Sequence, residues 1–406
     1  MVERRAMRIL CVVGTRPNFV KIAAILQEAR KYPTLQALLV HTGQHYDASL
    51  SDAFFRDLSI PRPLANLGVG GENSGEPTSE MIRRLEPVLI RERPDVVLVV
   101  GDVNSTLAGA LAAAQLGIPV AHVEAGLRSF DLSMPEEINR IGTDAVSALL
   151  FASEPSALRN LVLEGWPRER IFLVGNIMID TLRRFLPVAR HSTTLRDLGL
   201  QGEGGPSRKR PYAVLTLHRP STVDDPEVLR RVWEVLNDIS RRIPIIFPLH
   251  PRTRKHFHEA GLGSLTREDS GAGGTGVRIV PPLGYLPFLH LQSEAACVIT
   301  DSGGIQEETT VLGVPCLTLR ESTERPVTVS HGTNTVIGLE PGRLRREVEQ
   351  ILVGNGKRGR QPPGWDGRSA GRILRILHEY LRLRARGPRR CGSIAYTRHG
   401  RAPASC

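Results

Sequence analysis

The chain has 406 residues, 41% of them hydrophobic and 23% charged, the make-up of a globular protein with room for more than one core. Its formal net charge is +11, but seven arginines and no acid lie between Arg382 and Cys406. The excess therefore reads as a basic, disordered tail over residues 383–406 and does not imply nucleic acid. No run approaches the ~20 apolar residues of a membrane span, and no leader is expected at the start. The five cysteines have neither metal-site nor paired spacing. A cytoplasmic protein with no metal, disulfide or membrane partner is expected.

Short β-branched runs alternate with longer helical patterns, which predicts βαβ units and parallel sheets. A first series places strands at 9–13, 37–42, 95–100, 119–123, 149–152 and 171–174. Helices are expected at 19–32, 49–57, 78–91, 104–116, 136–148 and 155–164, with a Gly/Pro loop over 59–76. Residues 186–210 lose the pattern and read as a linker, with room for a helix in its front part. A second series has strands at 212–217, 245–249, 277–280, 297–300 and 316–319, a Gly-rich surface loop at 261–276, and a late helix over 369–382. No internal repeat is visible. The economical α/β architecture is two doubly wound Rossmann-like domains, residues 1–185 and 211–368, facing a central cleft. Ligands bind such sheets at the carboxyl ends of the strands.

The chemistry-bearing residues fall at those ends. The first strand runs into Gly14-Thr15-Arg16-Pro17-Asn18-Phe19-Val20-Lys21, a Gly turn and a Pro-opened helix whose free N–H groups suit an anion, with Arg16 and Lys21 adding charge. Asp102 closes V-L-V-V-G-D and either caps the next helix or handles a proton. Glu124 follows the apolar P-V-A-H-V, where a carboxylate needs either a task or an ion-pair partner such as Arg128. Glu136 has two readings of equal standing. It fits a capping box with Ser133 and an i,i+4 pair with Arg140, so it or Glu137 is either structural or an acid of the site.

In the second half, His218-Arg219 and His250-Pro251-Arg252 end two strands and suit phosphate or sugar hydroxyls. Asp301-Ser302-Gly303-Gly304-Ile305-Gln306-Glu307-Glu308 follows a strand and opens a helix, a setting for a pyrophosphate with Glu308 on a ribose. Thr323-Glu324-Arg325-Pro326 supplies another arginine.

At these residues the chain resembles the non-hydrolysing UDP-N-acetylglucosamine 2-epimerases. G-T-R-P-N-F-V-K, H-T-G-Q-H-Y-D, V-V-G-D-V-N-S-T, H-V-E-A-G-L-R, M-P-E-E-I-N-R, V-G-N-I-M-I-D-T, D-S-G-G-I-Q-E-E and T-E-R-P occur in family order, over roughly residues 7–380. The resemblance implies a GT-B-like fold, a homodimer and the interconversion of UDP-GlcNAc and UDP-ManNAc through a bound glycal, without NAD or another cofactor. The product would feed cell-surface polysaccharide synthesis.

The same resemblance makes Asp102, Glu124, Glu136 and His218 catalytic candidates. It makes Arg16, Lys21, Arg140, His250, Ser302, Gly303, Gly304, Glu308 and Arg325 substrate-binding candidates, and sets Phe288 beside the uracil. Gln44 and His45 match the segment where bacterial members bind a second UDP-GlcNAc as activator. This chain departs from many members at Asn18-Phe19, at Leu283-Gly284 and in the Pro-Ser that follows Arg219. The alternatives are epimerisation of a UDP-diacetamido-uronic acid, hydrolytic release of ManNAc and UDP, glycosyl transfer to an acceptor, and a non-catalytic UDP-sugar sensor.

Overall fold

Strand runs such as Val96–Val100 are buried at every position, which only a parallel sheet covered by helices on both faces provides. The computed structural model describes residues 6–44, 54–70, 78–201, 211–263 and 276–385. The first sheet contains β1 (Met7–Val13), β2 (Leu35–His41), β3 (Ala65–Asn66), β4 (Val96–Val100), β5 (Val120–Val123), β6 (Leu149–Ala152) and β7 (Ile171–Leu173). Its order is β3-β2-β1-β4-β5-β6-β7, with every neighbouring pair parallel. The second sheet contains β8 (Ala213–Thr216), β9 (Ile245–Pro248), β10 (Val277–Val280), β11 (Cys297–Thr300), β12 (Cys316–Thr318) and β13 (Asn334–Val336), ordered β10-β9-β8-β11-β12-β13 and again all parallel.

Both sheets are therefore doubly wound. Each has a switch point, between β1 and β4 and between β8 and β11, where helices leave in opposite directions and a crevice opens. The doubly wound α/β reading holds, with shifts of a few residues at most element ends. Two short strands were not foreseen. β3 lies inside the expected 59–76 loop and pairs with β2, while β13 extends the second sheet beyond β12. Both are too brief to show a period. The segment read as linker still holds helical structure, since one helix runs Ile177–Ala189 and a turn follows at Thr194–Asp197. Residues 202–210, most of the 261–276 loop, and 386–406 with nearly all of the basic tail lie outside the described residues. Among the described residues, no helix is long and apolar enough to cross a membrane.

Among the contacts that join the halves, two involve the returning chain and the Asp57 carboxylate. Helix Ser369–Ala385 returns to the first sheet, where Ala370, Ile373, Leu374, Leu377 and Leu381 share a core with helix Arg16–Ala29 and with β1. On its way back the chain buries Trp365, whose indole N–H donates to the Ser153 carbonyl at 3.2 Å. In addition, the Asp57 carboxylate accepts from the backbone N–H groups of Leu286 and Tyr285, at the start of helix Tyr285–Ser293 beside the second sheet.

Candidate active site

At the first switch point, the turn after β1 is built by Asn18. Its Oδ1 accepts the N–H groups of Gly14 and Thr15, both at 3.1 Å, and its Nδ2 donates to the Val100 carbonyl of β4 at 2.9 Å. A glutamate at this position has no N–H for that last bond. One turn along the helix, the buried Lys21 ammonium donates to Glu124 Oε2. Glu124 reaches it because its φ is +74°, a left-handed backbone costly for any residue but glycine. The N–H groups of Glu124 and Ala125 both turn onto the Phe151 carbonyl of β6, at 3.1 and 3.2 Å. The other oxygen, Glu124 Oε1, is buried without a donor.

Asp102, beyond β4, accepts from Arg140 at 2.7 Å. Burial opposes its charge, but Arg140, then Lys21 and Arg325, outweigh it and hold the carboxyl down at about 2. The other arm of the Arg140 guanidinium donates to Glu137 at 2.6 Å. Glu137 also accepts the N–H groups of Ser129 (2.9 Å) and Phe130 (3.0 Å), which fixes the loop ahead of helix Pro135–Val146. Glu136, on the same helix, faces out of this network toward Arg219 of the second half, at 3.7 Å.

Across the crevice, the Asp301 carboxylate beyond β11 accepts the N–H groups of His218 (2.8 Å) and Arg219 (2.9 Å), and its other oxygen lies 2.9 Å from His218 Nδ1. The imidazole is thereby oriented while the side chain stays 53% exposed. Ser302 is the N-cap residue of helix Gly303–Leu312, with its hydroxyl making no cap bond. Arg325 is buried between Glu307 (2.6 Å) and Glu324 (2.5 Å). Glu324 in turn meets Arg320 (2.8 Å), Arg219 (3.5 Å) and Arg140 (3.9 Å), so the Asp102 network continues into the second half. Glu308 is buried with the Tyr285 hydroxyl 3.3 Å from its Oε1, and burial pushes its carboxyl up to about 7. Phe288 is half-buried on the helix that carries Tyr285, and His250 ends the strand beside β8.

The arrangement pairs two carboxylates with cations at adjacent strand ends and sets opposite them the helix start at Ser302, with Arg325 beside it. The family model described as UDP-N-acetylglucosamine 2-epimerase matches residues 27–378. The chain belongs to the UDP-N-acetylglucosamine 2-epimerase family. It is thus an isomerase of the epimerase class, with the family's GT-B-like two-domain fold. It is 41% identical over 373 residues to the UDP-N-acetylglucosamine 2-epimerase of Methanocaldococcus jannaschii, covering 91% of this chain and 99% of that protein. The crystal structure of the M. jannaschii enzyme in complex with UDP-GlcNAc and UDP superposes with a TM-score of 0.82, at 41% identity, covering 92% of this chain and 100% of that one. The UDP-2,3-diacetamido-2,3-dideoxy-D-glucuronate 2-epimerase of Pseudomonas aeruginosa is also 41% identical over 335 residues, covering 82% of this chain and 88% of its own.

Several local readings of the epimerase sequence require correction. Asp102 caps nothing: the N-cap of helix Asn104–Gln115 is Val103, and the Asp102 carboxylate turns to Arg140 instead. The Ser133 capping box does not form. Met134 is the N-cap residue, and the Ser133 hydroxyl donates to Asp131 at 2.6 Å. Arg140 pairs at i,i+3 with Glu137 and not at i,i+4 with Glu136. Arg128 is not the partner of Glu124, because it is taken by Asp144 (2.7 Å) and Glu164 (2.8 Å).

Gly303 has a use beyond approach to a ligand, since a Cβ there would lie 2.6 Å from Arg325 and 2.8 Å from Glu324. Gln44 accepts from the Ser105 N–H (3.1 Å) and hydroxyl (2.6 Å), while His45 lies outside the described residues. Arg16 lies over the Phe54 ring at 5.7 Å. Two buried acids, Glu154 and Glu307, were not singled out. Glu154 stands just past β6, the kind of position that drew notice to Asp102 and Glu124.

Proposed function

We propose that this epimerase interconverts UDP-GlcNAc and UDP-ManNAc by inverting C2 of the sugar. The observation that carries this reading is the Lys21–Glu124 couple next to the Arg140–Asp102 couple, two ionic acid/base groups at the adjoining ends of β5 and β4, beside the switch point. Inversion needs a group to remove the C2 proton from one face and another to deliver a proton to the opposite face. As the C2–H bond breaks, its electron pair forms the C1=C2 bond, and the C1–O pair leaves with UDP. The reverse addition then restores the C1–O bond after C2 has been protonated.

Asp102, Glu124 and Glu136 surround the sugar in this reading, and His218 and Arg325 meet the diphosphate as its charge grows. The fixed N–H groups after Ser302 face the same charge without needing to reorganise. Glu308 accepts from the ribose, Phe288 flanks the uracil, and Arg16 and His250 complete the rim. Gln44 belongs to the activator segment. No step calls for a nicotinamide or a metal.

A homodimer is part of the proposal. Phe130, Leu132, Ile138 and Ile141, on helix Pro135–Val146 and the loop before it, are each exposed, apolar side chains that a second copy would cover. A cytoplasmic setting fits the buried free thiols Cys11, Cys297 and Cys316. The test is incubation in D2O with UDP-GlcNAc and, separately, with the UDP-diacetamido-uronic acid. Deuterium at C2 of both epimers of UDP-GlcNAc is the expected result. Unlabelled UDP-GlcNAc after long incubation, or free UDP rising in step with free sugar, would refute the proposal.

A further inference from the structure

Behind the two acids lies a buried row of charges that the scheme above does not use. His122, in β5 and two residues before Glu124, is buried, and its ring is held at both nitrogens. Nδ1 lies 2.6 Å from Asp144 Oδ1, and Nε2 lies 2.9 Å from the Gly101 carbonyl oxygen. A carbonyl oxygen only accepts, so Nε2 carries a hydrogen. Asp144 is ionised, because its other oxygen takes the Gly126 N–H at 3.0 Å and the Arg128 guanidinium at 2.7 Å. Burial opposes that charge, but His122 and Arg128 outweigh it and hold the Asp144 carboxyl below its ordinary value. Facing a carboxylate, Nδ1 carries a hydrogen as well, and the ring is an imidazolium. The row then balances: His122 and Arg128 are two cations, and Asp144 and Glu164, each 2.7 Å from Arg128, are two anions. A neutral ring would leave one negative charge uncompensated in the interior, which is heavily penalised.

The row holds the two turns that carry the acids. Gly101, just before Asp102, has a φ of +74° and is tied to β5 on both sides of its residue. Its N–H donates to the Val123 carbonyl at 3.0 Å, and its carbonyl takes the His122 ring. A Cβ on Gly101 would lie 2.8 Å from Lys21 Nζ and 3.5 Å from Glu124 Oε2, so the same turn rests against the Lys21–Glu124 couple. Gly126, two residues after Glu124, is anchored from the other side by Asp144.

We propose that His122 is a positioning residue of the epimerase: an imidazolium that, with Asp144, ties the turn before Asp102 to the strand end that carries Glu124, and so sets the spacing of the two acids. The inference rests on the reading of Asp102 and Glu124 as acid/base groups at C2. The ring touches neither acid. It acts through the Gly101 peptide and, by way of Asp144, through Gly126.

The experiment begins with the wild type. Nuclear magnetic resonance of isotope-labelled histidine, with the His122 ring assigned through its own backbone, should show hydrogen on both ring nitrogens under turnover conditions. A ring with one bare nitrogen overturns the inference. The wild type is then compared with His122→Gln, whose flexible amide replaces the rigid two-ended ring. Counted per UDP-binding site, kcat is expected to fall about 100-fold, the cost of acids misplaced by about 1 Å, while KM for the sugar nucleotide moves by less than about threefold. A kcat within about threefold of the wild type, or a KM that rises as far as kcat falls, refutes the proposal. If His122→Gln does not fold, Asp144→Asn, which takes away the carboxylate on Nδ1, decides by the same split. If neither folds, the wild-type ring spectrum decides. Deuterium at C2 is followed in the same samples. Should the wild type incorporate none, the proposed reaction has failed, and His122 is judged by hydrogen exchange of the Gly101 N–H. That exchange should be faster in His122→Gln than in the wild type, and an equal rate overturns the tie to the Asp102 turn.

Discussion

Replacing Lys21 by methionine tests the central couple of the site most directly. Lys21 and Glu124 are 5% and 3% exposed, so solvent cannot take over the role of the missing ammonium. Breaking a buried pair by removing one partner costs about 3–5 kcal/mol, because the other charge is left uncompensated. Lys21→Met should therefore be about 3–5 kcal/mol less stable than the wild type at about pH 8.

Urea unfolding measures the difference, and single-turnover C2 exchange reports the loss of the Lys21–Glu124 couple. The double variant Lys21→Met/Glu124→Gln leaves no charge to strand and should recover to within about 1 kcal/mol of the wild type at about pH 8, while staying inactive. A deficit below about 1 kcal/mol for Lys21→Met at about pH 8 would refute the reasoning.

Three further outcomes are expected. Ribose hydroxyls favour the ionised form of Glu308, so UDP-GlcNAc should bind about tenfold more tightly at about pH 8 than at 6, a slope absent in Glu308→Gln and measurable by calorimetry. Gly303→Ala drives a methyl against Arg325 and Glu324 and should cost about 1–3 kcal/mol of stability while raising KM for the sugar nucleotide. Ser133→Ala should change stability by less than about 0.5 kcal/mol, because the Ser133 hydroxyl is exposed on Asp131 and caps no helix; a loss near ~1 kcal/mol would restore the capping box.

The parallel sheets were legible because their strands are buried on both faces and so read as unbroken apolar runs, bounded by Gly turns. Strand-end position likewise singled out Asp102, Glu124 and the Asp301–Glu308 turn. Pairing was another matter. Arg128 was the nearest basic residue to Glu124 in sequence, yet the positive φ at Glu124 turns its carboxylate toward Lys21, 103 residues away in the chain. The capping box obeyed a valid local rule, but the helix begins after Met134, and Glu137 is drawn instead to Arg140 and to the loop N–H groups. Short-range rules do not see competing partners brought in by the fold, so they decide where charge is placed better than what it meets. Glu154 obeys the same strand-end rule as Glu124, yet it is followed at once by Pro155 and a helix start, so it reads as an ordinary turn.

The return of helix Ser369–Ala385 to the first sheet has a consequence for how the chain comes to be folded. Five side chains of the first core, from Ala370 to Leu381, are synthesised after every strand of both sheets. On the ribosome the second sheet has its own strands complete once β13 has emerged, while the first still lacks a wall. The order of maturation is then inverted relative to the order of translation, and the amino-terminal half waits, partly uncovered, for the helix Ser369–Ala385. Loss of the residues from Ala370 to Leu381 would therefore damage the half that carries Lys21, Asp102 and Glu124.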